Sequence, residues 1–131
     1  FFDPKRVADF EFRRKRGGHL FSKMTFLAVQ FEAMLDDGLW LKLASRANAM
    51  AQMLGQGMAQ VPGIALEHAI EANEVFARLP SRAAMNAIKA AGGKFYPWGP
   101  MSEKPLIRLV CSFATREAEV DEFLACVRRS G

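Results

Sequence analysis

The run Leu106-Ile107-Arg108-Leu109-Val110-Cys111-Ser112-Phe113 constrains the fold of this chain more than any other stretch. Six of its eight residues are apolar, and it lies between Pro105 and a helix-start signal at Thr115. A short apolar run between a proline and a cap predicts a buried strand. Arg108 is the misfit. A guanidinium taken out of water is costly unless an anion compensates it. The strand therefore calls for an anion beside Arg108: a structural Asp or Glu, or a ligand carboxylate or phosphate gripped by the planar donor fork.

Helical and strand periodicities divide the rest. Asp3-Pro4 predicts a helix start, Asp as N-cap and Pro in the first turn, for a helix over about 4–16 with Val7, Phe10 and Arg14 on one side. Arg13-Arg14-Lys15-Arg16 complements its negative end, and Gly17-Gly18 stops it. Leu20, Met24, Leu27, Phe31 and Leu35 predict a strongly amphipathic helix closed by Asp36-Asp37-Gly38. A second long helix follows, its stripe Leu39, Leu43, Ala47, Met50 and Leu54, with Gly55, Gly57 and Pro62-Gly63 as terminators and Met50, Met53 and Met58 as core filler.

The period then changes to two. Strands are predicted over about 64–68 and 73–79, with His68 at the end of the first read as a satisfied structural histidine on a strand face. Ser81 caps a helix to about Ala91 with Met85 and Ile88 inward, and Gly92-Gly93 ends it. Lys94-Phe95-Tyr96 predicts a third strand and Pro97-Trp98-Gly99-Pro100 an irregular loop. After the Arg108 strand, Thr115 caps a last helix with Val120, Phe123, Leu124 and Val127 inward and Arg128 and Arg129 at its end. The second half reads β-β-α-β-β-α, an α+β sandwich with a mostly antiparallel sheet and helices on one face.

Composition narrows the function classes. With 131 residues the chain is one domain by size, and its net charge of +4 is mild. The positive charge gathers near the start, and Arg13–Arg16 is short enough to be a dipole-matched helix end rather than a nucleic-acid surface. Cys111 and Cys126 read as small buried hydrophobes, since two thiols without CxxC spacing or clustered His make neither a metal site nor a disulfide framework. No apolar run reaches the roughly 20 residues of a membrane helix, and no secretory signal is visible, so the expected compartment is the cytoplasm. The glycine pairs lack phosphate-loop spacing, and neither an HExxH nor a GxSxG is present. His19 follows a glycine pair and precedes an apolar helix, near a helix N-terminus, a place that also suits an anion. Phe1-Phe2 at a raw end, with no initiator Met, leads us to expect a chain entered partway through.

Read whole, the sequence resembles the C-terminal part of the low-specificity L-threonine aldolase and phenylserine aldolase family, the β-eliminating lyases. The resemblance is carried by Phe2-Asp3-Pro4, by Phe10 through Met24 (FEFRRKRGGHLFSKM), by Gly38-Leu39-Trp40-Leu41 and by Ala47-Asn48-Ala49-Met50-Ala51. It continues through Glu71-Ala72-Asn73-Glu74-Val75-Phe76, Phe95-Tyr96 with Trp98, Ile107-Arg108-Leu109-Val110 and Ser112-Phe113-Ala114-Thr115. It runs over essentially the whole chain in the family's order.

The resemblance implies the C-terminal portion of an aspartate-aminotransferase-like fold, with residues 1–38 the end of a large domain and its linking helices and residues 39–131 a small α+β domain. It implies pyridoxal 5'-phosphate (PLP) as cofactor and cleavage of a β-hydroxy-α-amino acid to glycine and an aldehyde. It gives Arg108 the substrate carboxylate as its anion. Lys15 and, more approximately, Lys23 fall near the cofactor pocket, and His19 is a further anion-binding candidate there. The Schiff-base lysine is expected upstream of Phe1, because Met24-Thr25-Phe26 after Ser22-Lys23 leads into a core helix instead of a glycine-rich turn. No catalytic residue and no metal ligand is expected in this chain, which should be inactive alone. The expected partners are the amino-acid substrate, the N-terminal PLP domain and further subunits of a homodimer or homotetramer, with neither nucleic acid nor membrane among them. The competing class is a stand-alone α+β module that binds a small carboxylate or acts in oligomerisation; nucleic-acid binding through Arg13–Arg16 is a third.

Overall fold

The computed structural model describes residues 4–130. The chain divides into two compact units, one up to Leu39 and one from Trp40 onward.

In the first unit a 3-10 turn, Pro4–Arg6, is followed by helix α1, Phe10–Arg16, and helix α2, Thr25–Leu35. The predicted single helix from residue 4 is therefore broken, and its proposed cap Asp3 lies outside the described residues. Arg14 stacks over Phe10 one turn back, 6.0 Å from its centroid. The basic last turn and the stop at Gly17 fall where expected, with Gly18 in the left-handed region (φ 73°). Helix α2 corrects the expectation of an amphipathic helix. It starts only at Thr25, and its sequence TFLAVQFEAML is apolar on all sides, with no residue buried. Phe26 and Phe31 are 70% and 71% exposed. Asp36–Gly38 closes the helix through positive φ at Asp37 and Gly38, as the sequence predicts.

Helix α3, Leu39–Ala59, leads into the second unit, and its buried stripe begins at Ala47 rather than at Leu39. The helix runs through Gly55 and Gly57, which are buried contact points rather than terminators. A Cβ on Gly55 would collide with the end of Ile70, and one on Gly57 with the whole Leu124 isobutyl group. Close approach of neighbours, not a need to stop, explains both glycines.

The remaining elements are β1 (Ala65–Leu66), β2 (Glu74–Arg78), α4 (Arg82–Ala90), β3 (Tyr96–Pro97), β4 (Leu106–Val110) and α5 (Glu117–Ser130). Their order is the predicted β-β-α-β-β-α. All strand pairs are antiparallel, in the order β1-β2-β4-β3. Pro97 belongs to edge strand β3 rather than to a loop. The neighbouring hydrogen bond is donated by Trp98 N to Leu106 O (2.8 Å), so the missing proline N–H costs nothing there.

Along β2 and β4 burial alternates. Val75, Ala77, Ile107 and Leu109 enter a core closed by Met50, Leu54 and Met58 of α3, Met85 and Ile88 of α4, and Val120, Leu124 and Val127 of α5. The helices thus cover one face of the sheet. Cys111 and Cys126 are free and buried, and burial pushes the Cys111 thiol above its ordinary value.

Two caps show where local sequence decides. Ser81 Oγ accepts from Ala84 N (3.1 Å), as predicted for the start of α4. Thr115, by contrast, does not cap α5. Its hydroxyl accepts from Ser112 N (2.9 Å) in a tight turn. The helix is started one residue later, where Glu119 reaches back to the Arg116 N–H (2.8 Å) and to its guanidinium (3.1 Å).

Candidate functional site

The alternation that buries Ile107 and Leu109 turns Arg108 to the other face of the sheet. The strand is therefore half-buried rather than buried, and the arginine keeps contact with water: its side chain is 32% exposed. Strand register decides its neighbours. Phe76 stands opposite Arg108, and Glu74 opposite Val110, so Glu74 is the diagonal neighbour of Arg108 on the outer face.

Three contacts define the guanidinium's surroundings. Glu74 Oε1 lies 3.8 Å from Arg108 Nη1, an ion pair too long for a hydrogen bond. The Arg108 Cζ lies over the Trp98 ring, 4.6 Å from its centroid. Behind them the rings of Trp98, Phe76 and His68 form an edge-to-face row, with centroids 5.7 and 5.6 Å apart. The guanidinium makes no hydrogen bond to any described residue. Its fork is held from one side and along one edge while other donors stay unused. An open recess of about 600 Å³, lined by Lys89, Lys94, Phe95, Tyr96 and Arg108, adjoins it.

The loop that follows Trp98 is held from outside the site. Arg82 of α4 donates to Ser102 O (3.1 Å) and Met101 O (3.4 Å), and Arg78 of β2 donates to Lys104 O (3.2 Å). Both arginines thereby hold down the loop between Trp98 and β4. Arg78 is itself paired with Glu67 of the preceding loop at 2.7 Å.

The sequence singled out Arg108 and left its anion open between a protein acid and a ligand. The structure supplies the acid, Glu74, at a distance that leaves the hydrogen-bonding donors free. Glu74, Phe76, His68 and Trp98 acquire their place here only through sheet register and loop geometry. The period-two alternation of residues 73–79 was the available signal, because it sets Glu74 and Phe76 on one face. Lys15 lies in the last turn of α1, His19 just after Gly18, and Lys23 just before α2, all exposed. They belong to the first unit and Arg108 to the second. Among the described residues no group of three His, Cys, Asp or Glu side chains is placed to hold a metal, and no helix is long and apolar enough to cross a membrane.

In architecture the second unit, an antiparallel sheet with helices on one face, is that of the aspartate-aminotransferase-like enzymes. Structural neighbours are Leishmania major threonine aldolase, with a TM-score of 0.80 and 27% identity over 93% of this chain and 35% of that one, and C-DES in a mutant with glycine covalently linked to its PLP cofactor. The latter has a TM-score of 0.54 and 20% identity over 66% of this chain and 23% of that one, and speaks for the fold alone.

In sequence the resemblance is to threonine aldolases. The chain is 39% identical over 128 residues to the low specificity L-threonine aldolase of Pseudomonas sp. (strain NCIMB 10558) and 38% identical to that of Pseudomonas aeruginosa. These matches take in 98% of this chain, which spans 36% of the length of either relative. No protein-family model matches. The chain is thus recognised as a relative of the low-specificity L-threonine aldolases over about a third of their length.

The described residues do not by themselves form a seat for PLP. A lysine that holds an aldehyde as an imine works from a desolvated pocket or beside another cation. Every described lysine is exposed, and no charged or polar side chain is buried. What they do hold is a guanidinium, that of Arg108, stacked on Trp98 and ion-paired with Glu74.

Proposed function

We propose that this chain is the C-terminal, substrate-clamping part of a PLP-dependent lyase that cleaves β-hydroxy-α-amino acids of the threonine or phenylserine type to glycine and an aldehyde. In this reading Arg108 grips the substrate carboxylate. One observation carries it: in a relative of the threonine aldolases, the Arg108 guanidinium is stacked and ion-paired yet forms no hydrogen bond to any described residue. A carboxylate seated on the free part of the fork gains charge-assisted hydrogen bonds in a fixed plane. PLP, when bound, serves as the electron sink. Its Schiff-base lysine belongs to polypeptide outside these residues, and Lys15, Lys23 and His19 line its pocket from the first unit. On this reading the chain alone is inactive.

The exposed aromatic residues of the first unit support an assembly. Phe12, Phe21, Phe26 and Phe31 are each more than half exposed, and large exposed apolar surface marks interaction sites. We assign their cover to the PLP domain and to a second subunit of a homo-oligomer. The test is Arg108→Ala in the full-length enzyme. Loss of hydrogen bonds to a charged group corresponds to about 1.5–3 kcal/mol, so kcat/KM for threonine falls roughly 10- to 150-fold. Unchanged kcat/KM rejects the carboxylate role.

A further inference from the structure

We infer that Glu74 is a charge filter on the carboxylate site: it disfavours amino acids carrying a second carboxylate in the side chain. The inference rests on the reading of Arg108 as the carboxylate grip. Here Glu74 Oε1 stays 3.8 Å from Nη1, close enough to act through its charge and too far to occupy the donors. The cation is held in orientation from a different direction, by the Trp98 ring at 4.6 Å. Glu74 is therefore not required to aim the fork.

What Glu74 contributes is a fixed negative charge beside the seat. No other acid pairs with Arg108 among the described residues. Glu74 also lines a second recess of about 290 Å³, with His68, Glu71, Asn73 and Phe76. A substrate whose first carboxylate lies on Arg108 thus has an acid on one flank and the rings of Trp98, Phe76 and His68 behind it. On the Glu74 flank a neutral side chain meets apolar edges, and an anionic one meets like charge, with Glu71 adding to it, whereas the recess that Arg108 shares with Lys89 and Lys94 carries the opposite charge. Both Glu74 and Arg108 are about one-third exposed (37% and 32%), so the repulsion is moderated by solvent and by salt rather than absolute.

The experiment compares Glu74→Gln, which keeps the size and removes the charge, with Arg108→Ala and the parent, all as full-length PLP-loaded enzyme. The readout is kcat/KM for threonine and for 3-hydroxyaspartate at low and high salt. The expected result is a rise of about tenfold in the 3-hydroxyaspartate-to-threonine ratio in Glu74→Gln, smaller at high salt. Ligand-free melting curves of Glu74→Gln identify a variant that fails to fold. In that case the Glu74→Asp enzyme, which retains the charge, is compared with Glu74→Ala, and the ratio must rise only in the second. An unchanged ratio in a folded, uncharged variant overturns the inference. If Arg108→Ala loses activity while the ratio does not respond to Glu74, the filter alone is wrong. If Arg108→Ala keeps full activity, the carboxylate reading itself falls, and the filter with it.

Discussion

Phe76 and Arg108 face one another across the β2–β4 ladder, and that single pairing organises the outer face of the sheet. It brings an acid two residues along β2 and an indole from the loop after β3 to the same guanidinium. Neither neighbour is close to Arg108 in sequence. The site is a product of register, and a one-residue slip of β4 would send Arg108 into the core and Ile107 into water.

The Trp98 ring stabilises the cation. Replacing it removes about 1 kcal/mol of cation–π attraction. In the full-length enzyme we expect Trp98→Ala to raise the KM for threonine about fivefold, with Trp98→Phe in between. Steady-state kinetics on the three enzymes checks the order. A Trp98→Phe enzyme weaker than Trp98→Ala contradicts a stacking role.

Two buried glycines on α3 make opposite predictions. Alanine at either position gains up to about 1 kcal/mol of helix propensity. At Gly57 the new methyl group meets Leu124 Cγ as well as both methyls, inside the core, so overpacking of about 1–3 kcal/mol wins and Gly57→Ala destabilises. At Gly55 the collision is with the end of a half-buried Ile70 side chain, which can swing away. Gly55→Ala should be near neutral. Urea unfolding of the two variants decides, and equal losses would show that Ile70 has no room to move.

Acid should weaken the start of α5. The Arg116 backbone N–H, and then its guanidinium, hold the Glu119 carboxyl below the ordinary carboxylate range. A carboxyl depressed in the folded state stabilises at pH values above its unfolded pKa and loses that contribution as pH falls through its folded one. The melting temperature of Glu119→Ala should therefore lie below the parent's at neutral pH. The gap should close progressively as the pH falls below the ordinary carboxylate range. A gap independent of pH would assign the effect to something other than the charge.

Much of the second unit was legible in the chain because its signals are local. Ser81 with Met85 and Ile88 announces α4, and the alternation around Val75 and Ala77 announces β2, whatever lies elsewhere. The errors come from residues whose meaning is set at a distance. Gly55 and Gly57 look like helix stops until Ile70 and Leu124 are seen above them. Thr115 looks like a cap until its hydroxyl is found on Ser112 N, with the capping done by Glu119 from within the helix. The spacing of Leu27, Phe31 and Leu35 suggests one apolar stripe, but Phe26, Val29 and Met34 fill in the other faces of α2, so that helix has no polar side. At the site, Arg108 was conspicuous as a charge in an apolar run. Glu74 was one acid among many, since nothing in the sequence states that β2 and β4 pair in this register.

The clamps from Arg82 and Arg78 onto the carbonyls of Met101, Ser102 and Lys104 give the loop after Trp98 its shape without any ligand. That loop lost its freedom when the domain folded, together with α4 and β2. If a carboxylate is what Arg108 takes, a loop ordered in advance leaves it little of the protein to immobilise.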